Sequence, residues 1–261
     1  MKNSRTTIQH RQTQLLKTLR QRRSASVSDL AELLEVSPIT IRRDLDYLEE
    51  QKLVTRYFGG AQAVGSVTED DEVAYLSTTT QHLDCKQAVA RRAAELLQDG
   101  DTVFINSSAT ALLIYPYITK NVMVITNNGR SLLVNRPVNV ELLLTGGEVS
   151  GNKQSLVGEF AVQMLSGITA TKCVLGVSGI SVEGGITSRV IQETAINRTM
   201  LQRCSGEKIV VADHTKIGLE HNFFTGNLAD VTRLITDSNA DPSKLDDIRR
   251  AGVIVDVVET I

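Results

Sequence analysis

Ser37-Pro38-Ile39-Thr40-Ile41-Arg42-Arg43-Asp44-Leu45 joins a helix start, an apolar stripe and two adjacent guanidinium groups. Ser37 suits an N-cap, and Pro38 suits the first helical position, where its missing N–H costs nothing. Ile41, Leu45 and Leu48 recur at helical spacing and predict a buried face. At about 100° per residue, Ile39, Arg43 and Tyr47 fall on the opposite face, with Thr40 and Arg42 on its flanks. An exposed face of short side chains and arginine is the chemistry of a helix that enters a DNA groove.

Upstream, Ile8, Leu15, Leu16 and Leu19 predict a first helix. Val27, Leu30, Leu33 and Leu34 predict a second, with Glu35 and Val36 as the turn. Three short helices in this order make a helix-turn-helix. Downstream, Leu53 to Phe58 favours a strand and Gly59 with Gly60 a tight turn, so the strand reads as a wing carrying Arg56 and Tyr57. Candidate DNA contacts are therefore Ser37, Ile39, Thr40, Arg42, Arg43, Tyr47, Arg56 and Tyr57. In this geometry the first turn of the recognition helix meets base edges, Arg43 grips guanine and Arg56 meets phosphate. Glu49 and Glu50 would repel phosphate, so the helix is expected to enter by its N-terminal end.

Charge separates this reading from an ordinary helical domain with solvated arginines. Residues 1–60 hold 11 Lys or Arg against 7 Asp or Glu, net +4, whereas residues 61–261 hold 17 against 23, net −6. A positive excess confined to one end of a near-neutral chain is an electrostatic footprint for nucleic acid. A protein-interaction module with the same winged architecture stays open as the alternative.

The spacing Arg11, Leu15, Leu19, then Ser37, Thr40, Ile41, Arg42, Arg43, Asp44, Leu45 resembles the helix-turn-helix signature of the DeoR family of bacterial transcription regulators. Arg56, Gly59, Gly60 and Ala61 resemble that family's wing.

At 261 residues with 41% hydrophobic content, the chain accommodates a small head and a larger core-forming domain. The division expected is a winged helix-turn-helix over 1–62, a linker over 63–85 containing the acidic run Glu69 to Glu72, and an α/β domain over 86–261. No apolar run approaches the roughly 20 residues needed to span a bilayer, and the N-terminus is polar and charged, so a cytoplasmic protein is expected. Cys85, Cys173 and Cys204 are far apart and lack metal-ligand spacing, which reads as reduced structural thiols. With four histidines in the chain, no metal and no cofactor is expected.

From Lys86 onward helical and strand patterns alternate. An amphipathic helix through Val89, Ala93, Leu96 and Leu97 stops at Gly100. Strands are expected at 102–106, 121–126, 138–145, 172–177, 208–212, 233–236 and 253–258, with helices over 156–165 and 190–203. Such alternation calls for a mostly parallel sheet with helices on both faces, whose ligands bind beyond the C-terminal strand ends. Those ends carry Asn106, Ser107, Ser108 and Thr110, a plausible phosphate cradle entering a helix. They also carry Thr126 and Asn127, Gly146 and Gly147, and Ser178 and Gly179. Lys216, which follows a strand, is a candidate partner for phosphate. Glu193 is the one obvious carboxylate candidate, and His214 reads as a loop residue.

These loops, with the run Asp213 to Gly218, resemble the DeoR-family sensor domain. That resemblance implies a fold similar to ribose-5-phosphate isomerase and glucosamine-6-phosphate deaminase, and a phosphorylated sugar or related metabolite as effector. The implied cradle is Ser107, Ser108 and Thr110 with Lys216 as cation. Two positions depart from the family pattern: Ser108 and Ala109 replace the usual glycine and its successor, and Ser178 stands where an acid is common. The expected molecule is a homo-oligomeric repressor of a carbohydrate-use operon that binds double-stranded operator DNA and releases it on binding the effector. An isomerase-like enzyme with Glu193 as general base, and a DNA-binding protein without effector, are the competing readings.

Overall fold

The computed structural model describes residues 11–15, 18–19, 24–50, 54–57, 59–63, 81–150 and 154–260. Ile8, Leu16, Leu53, Phe58, the Tyr57 side chain and most of the segment read as a linker, 64–80, lie outside them. The chain divides into two compact units, Met1–Ala74 and Tyr75–Ile261.

The N-terminal unit has helical residues 11–15 and 18–19, strand β1 (Ser24–Ser26), helix α1 (Val27–Leu33), helix α2 (Pro38–Glu50), and strands β2 (Val54–Tyr57) and β3 (Gly60–Ala63). Ser26 caps α1 by accepting the Asp29 N–H. Leu15, Leu19, Leu30, Ile41 and Leu45 are fully buried and form one cluster with Leu48 and Val54, as the apolar spacing predicts. Leu33 departs from the prediction and is exposed. It sits at the last turn of α1, just before the chain bends away at Glu35, whose backbone is left-handed (φ 52°). The wing is a three-stranded antiparallel sheet ordered β1-β3-β2. Gly59 makes the turn with φ 87°, but Gly60 already pairs with Tyr57 as the first residue of β3, so the two glycines do not both belong to the turn.

Among the described residues the first element of the C-terminal unit is α3 (Leu83–Glu95), which starts inside the stretch read as a linker. Then follow β4 (Thr102–Ile105), α4 (Ala109–Leu112), β5 (Val122–Thr126), β6 (Val140–Leu144), β7 (Glu148–Ser150), β8 (Ser155–Val157) and α5 (Glu159–Ser166). Next come β9 (Ala170–Gly176), β10 (Gly179–Ser181), β11 (Gly185–Ser188), α6 (Ile191–Arg203), β12 (Cys204–Val211) and β13 (Phe223–Gly226). β14 (Arg233–Asp237), α7 (Pro242–Arg250) and β15 (Ile254–Val258) complete it. Seven strands form one parallel sheet ordered β15-β14-β12-β9-β4-β5-β6.

Successive residues of a strand face opposite sides, and here they feed two cores. Phe104, Cys173, Leu175, Val210 and Leu234 pack with Ala161 and Leu165 of α5, Ile196 and Met200 of α6, and Leu245 and Ile248 of α7. Val103, Ile105, Val174, Ile209, Val211 and Ile235 pack with Val89 and Ala93 of α3 and with Tyr115. Helices therefore cover both faces, and the near-continuous apolar runs of the central strands follow from burial on both sides.

Three expectations are corrected. The helix read over 156–165 starts at Glu159, because Leu156 and Val157 belong to β8, which pairs with β7, and Gly158 (φ 89°) separates strand from helix. Val190 is the N-cap of α6 rather than part of it. The Ser178–Gly179 stretch is not a simple strand-to-helix loop; β10 and β11 form a small antiparallel sheet with β13. Short strands rich in Gly, Ser and Thr leave no apolar period by which to find them.

Candidate functional site

On α2 the Ser37 hydroxyl accepts the Thr40 N–H at 3.2 Å and lies 2.9 Å from the Thr40 hydroxyl, so both side chains cap the helix start. The first turn of α2 carries no acidic residue of its own to offset the positive helix end. Ile39, Arg42, Arg43 and Tyr47 are exposed on the face opposite Ile41, Leu45 and Leu48. Arg56 on the wing is ion-paired with Asp46 of α2, and its N–H donates to Glu49 Oε1 at 3.1 Å. The acidic second half of α2 thus holds the wing. Asp44, whose role sequence reasoning missed, is buried and receives Arg11 and Gln12.

In the C-terminal unit the strand order reverses between β4 and β9: from β4 the chain proceeds through β5 and β6 to one edge, and from β9 through β12 and β14 to the other. A crevice at such a reversal is the place where open parallel sheets take ligands. Asn106, just past β4, clamps it to the end of β9. Its Oδ1 accepts the Gly176 N–H at 3.0 Å, and its Nδ2 donates to Gly176 O at 2.8 Å and to Asn197 Oδ1 at 3.1 Å. Ser107 donates to Glu193 Oε1 at 3.3 Å, and Ser155 donates to the same oxygen at 3.1 Å. Asn127 Nδ2 donates to Leu156 O at 3.2 Å and lies 3.4 Å from the Ser107 hydroxyl. The buried Asn127 Oδ1 has no hydrogen-bond partner among the described residues. Asn106, Ser107, Asn127 and Glu193 are thereby brought together, and all four are buried.

The other predicted residues serve this frame from its edges. Ser108 caps α4 by accepting the Ala111 N–H, while its side chain fills the space above Gly176: a Cβ there would lie 1.7 Å from the Ser108 hydroxyl oxygen. Thr110 is buried in α4, and Thr126 accepts the Asn128 N–H. Gly146 and Gly147 both have positive φ, and a Cβ on Gly147 would meet Val157 O at 2.4 Å. Gly179 passes so close to Leu219 O that a Cβ would meet it at 2.4 Å. The Ser178 hydroxyl accepts the Arg189 N–H at the start of the α6 approach.

Lys216 lies half-buried in a short 3₁₀ turn after β12. Its charge reaches Lys86, a buried α3 residue that donates to Gln81 O at 2.7 Å. Burial pushes the Lys86 ammonium below the ordinary lysine range; Asp213 opposes that push and Lys216 adds to it. Sequence reasoning missed Lys86, Ser155 and Asn197. For Lys86 a signal existed: it shares the helical stripe of Val89, Ala90, Ala93 and Ala94, where a charged residue needs a reason.

The profile of the DeoR-like helix-turn-helix domain matches residues 11–67, and that of the DeoR C-terminal sensor domain matches residues 81–238. A putative aga operon transcriptional repressor of Escherichia coli O157:H7 is 32% identical over 95% of this chain and 93% of its own length. The lactose phosphotransferase system repressor of Staphylococcus aureus N315 is 27% identical over 93% of this chain and 97% of its own. Among solved structures, ribose 5-phosphate isomerase A from Methanocaldococcus jannaschii aligns at 15% identity over 50% of this chain and 52% of its own, with a TM-score of 0.35. No helix among the described residues is long and apolar enough to cross a membrane.

Proposed function

The chain belongs to the DeoR family of transcriptional regulators, and on that premise we propose that it represses a carbohydrate-use operon and releases DNA when a phosphorylated sugar fills its C-terminal crevice. The observation that carries this reading is the convergence of Ser107 and Ser155 on the buried Glu193 carboxylate at the reversal of strand order. A carboxylate held by hydroxyls and flanked by Asn127, whose Oδ1 has no partner among the described residues, suits recognition of sugar hydroxyls. The Ser107 to Thr110 loop with Lys86 and Lys216 supplies donors and positive charge for phosphate. The relatives carry names of operon and transport-system repressors, one of them for lactose.

Ser37, Ile39, Thr40, Arg42, Arg43, Tyr47 and Arg56 form the DNA-facing set; Tyr57, expected there from the sequence, has its side chain outside the described residues. One such head reads one half-site, so a homo-oligomer supplies the second, and its work is done in the cytoplasm beside the chromosome. Effector binding acts by favouring the arrangement of heads that mismatches the operator, through its differential affinity for the two states.

A thermal-shift panel of sugar phosphates followed by an operator gel shift tests the reading. A true effector at 100 times its Kd should add about 2.7 kcal/mol of stability and abolish the shifted band. Lys216→Ala should retain operator binding and lose the response. A metabolite that stabilises the protein but leaves operator affinity unchanged would defeat the proposed coupling.

A further inference from the structure

His82, Cys85 and His214 come together at the N-terminal end of α3, outside the crevice residues above, although no spacing in the sequence links them. One ligand-type atom from each lies within 4.8 Å of the others. The two imidazoles meet edge to face with centroids 4.7 Å apart. His214 Nδ1 is held 2.9 Å from Oδ1 of the fully buried Asp237, and the His214 N–H donates to the other oxygen of that carboxylate at 2.7 Å. His82 has a left-handed backbone (φ 53°) at the N-cap of α3, yet its side chain makes no capping hydrogen bond. A non-glycine residue in that region costs energy unless its surroundings demand it, and such residues gather at functional positions.

We propose that His82, Cys85 and His214 bind one divalent cation of the zinc class. Two imidazoles and a thiolate are the borderline-soft donor set this ion selects over magnesium or calcium. With bonds of about 2.0–2.1 Å to nitrogen and about 2.3 Å to sulfur, tetrahedral ligands stand roughly 3.4–3.8 Å apart. Side-chain rotation closing the present spacing by about 1 Å forms the site. Ligation through His214 Nε2 keeps the Asp237 bond to Nδ1, giving the carboxylate–imidazole–metal relay that fixes ring orientation and raises ligand basicity. Cys85 gives up its thiol proton to solvent on binding, with no redox change. Burial first, and the Asp237 and Asp84 carboxylates with it, hold the Cys85 thiol up at about 11 until the ion displaces its proton, and the same two carboxylates then offset the ion's charge. The exposed His82 leaves the fourth position to water. Bound metal ties the start of α3 to the loop after β12, whose Asp237 partner ends β14.

The test uses the full-length protein, stripped with chelator and titrated with Co2+ alone. One Co2+ per chain is expected, with a thiolate-to-cobalt charge-transfer band and the intense visible absorption of a four-coordinate site, both removed by equimolar Zn2+. His82→Ala, at an exposed position, should keep its circular dichroism spectrum and weaken binding at least tenfold, and Cys85→Ser should abolish the charge-transfer band. Absence of the band in the unsubstituted protein, or binding unchanged in His82→Ala, would overturn the assignment. If Cys85→Ser does not fold, His82→Ala decides alone.

Discussion

Asp44, buried on the recognition helix, receives the Arg11 guanidinium on both carboxylate oxygens, Nε to Oδ2 at 2.5 Å and Nη2 to Oδ1 at 3.2 Å. The pair pins the first helical segment to α2 on the side away from the exposed Ile39, Arg43 and Tyr47. Removing one partner leaves the other charge buried and unpaired, so Asp44→Ala is expected to cost about 3–5 kcal/mol of head stability. Urea unfolding of Arg11→Ala, Asp44→Ala and the double variant checks this. The double variant should lose less than the sum of the singles.

Arg43 and Arg56 should behave differently. Arg43 is exposed on the face of α2 proposed to meet DNA, and Arg43→Ala should cost about 1–3 kcal/mol at the operator and relax specificity at one base pair. Arg56→Ala should weaken all sequences alike and lower the salt slope by about 1. Because Asp46 pairs with Arg56, Asp46→Ala should raise non-specific affinity. Fluorescence anisotropy on operator and scrambled duplexes over a salt series separates these outcomes; equal, sequence-independent losses for Arg43→Ala and Arg56→Ala would contradict the assignment.

Gly176 has no room for a side chain while Ser108 lies over it. Gly176→Ala should therefore displace the Ser107–Ser108 loop, lower the melting temperature and blunt the effector response. Gly176→Ala combined with Ser108→Gly removes the clash and should recover stability. Differential scanning calorimetry on the three proteins measures it.

Glu193→Gln keeps the size of the side chain but converts one acceptor oxygen into a donor. Ser107 and Ser155 both donate to Oε1, so the carboxylate frame loses symmetry and charge without losing bulk. Operator affinity should stay within twofold, whereas effector affinity should fall at least tenfold by titration calorimetry. Neither protein should interconvert aldose and ketose phosphates.

Burial raises the thiol pKa of Cys173 and of Cys204 above the ordinary cysteine value, which keeps both neutral near pH 8. Ellman's reagent should find neither in the native protein and all three cysteines after unfolding. Fast labelling of Cys173 in folded protein would show that the sheet core opens.

Local signals reached far into this protein. The Ser37 cap, the Ile41–Leu45–Leu48 stripe and the seven runs of the parallel sheet depend on neighbours within a turn or two, so periodicity and capping chemistry exposed them. The loops carrying Asn106, Ser107 and Asn127 are legible for the same reason, since a parallel strand must end in a turn that caps the next helix, and Glu193 is legible as part of a helical run.

Tertiary structure alone decided what those loops do together. An apolar run of strand length says that β4 and β9 are strands but not that they lie side by side, and the reversal of strand order exists only because they do. Asn106 clamping Gly176, Arg11 gripping Asp44 and His82 meeting His214 are contacts between distant parts of the chain. A residue's pattern with its neighbours records whether it is buried, whereas the partner it finds there depends on how the strands are ordered and the helices packed.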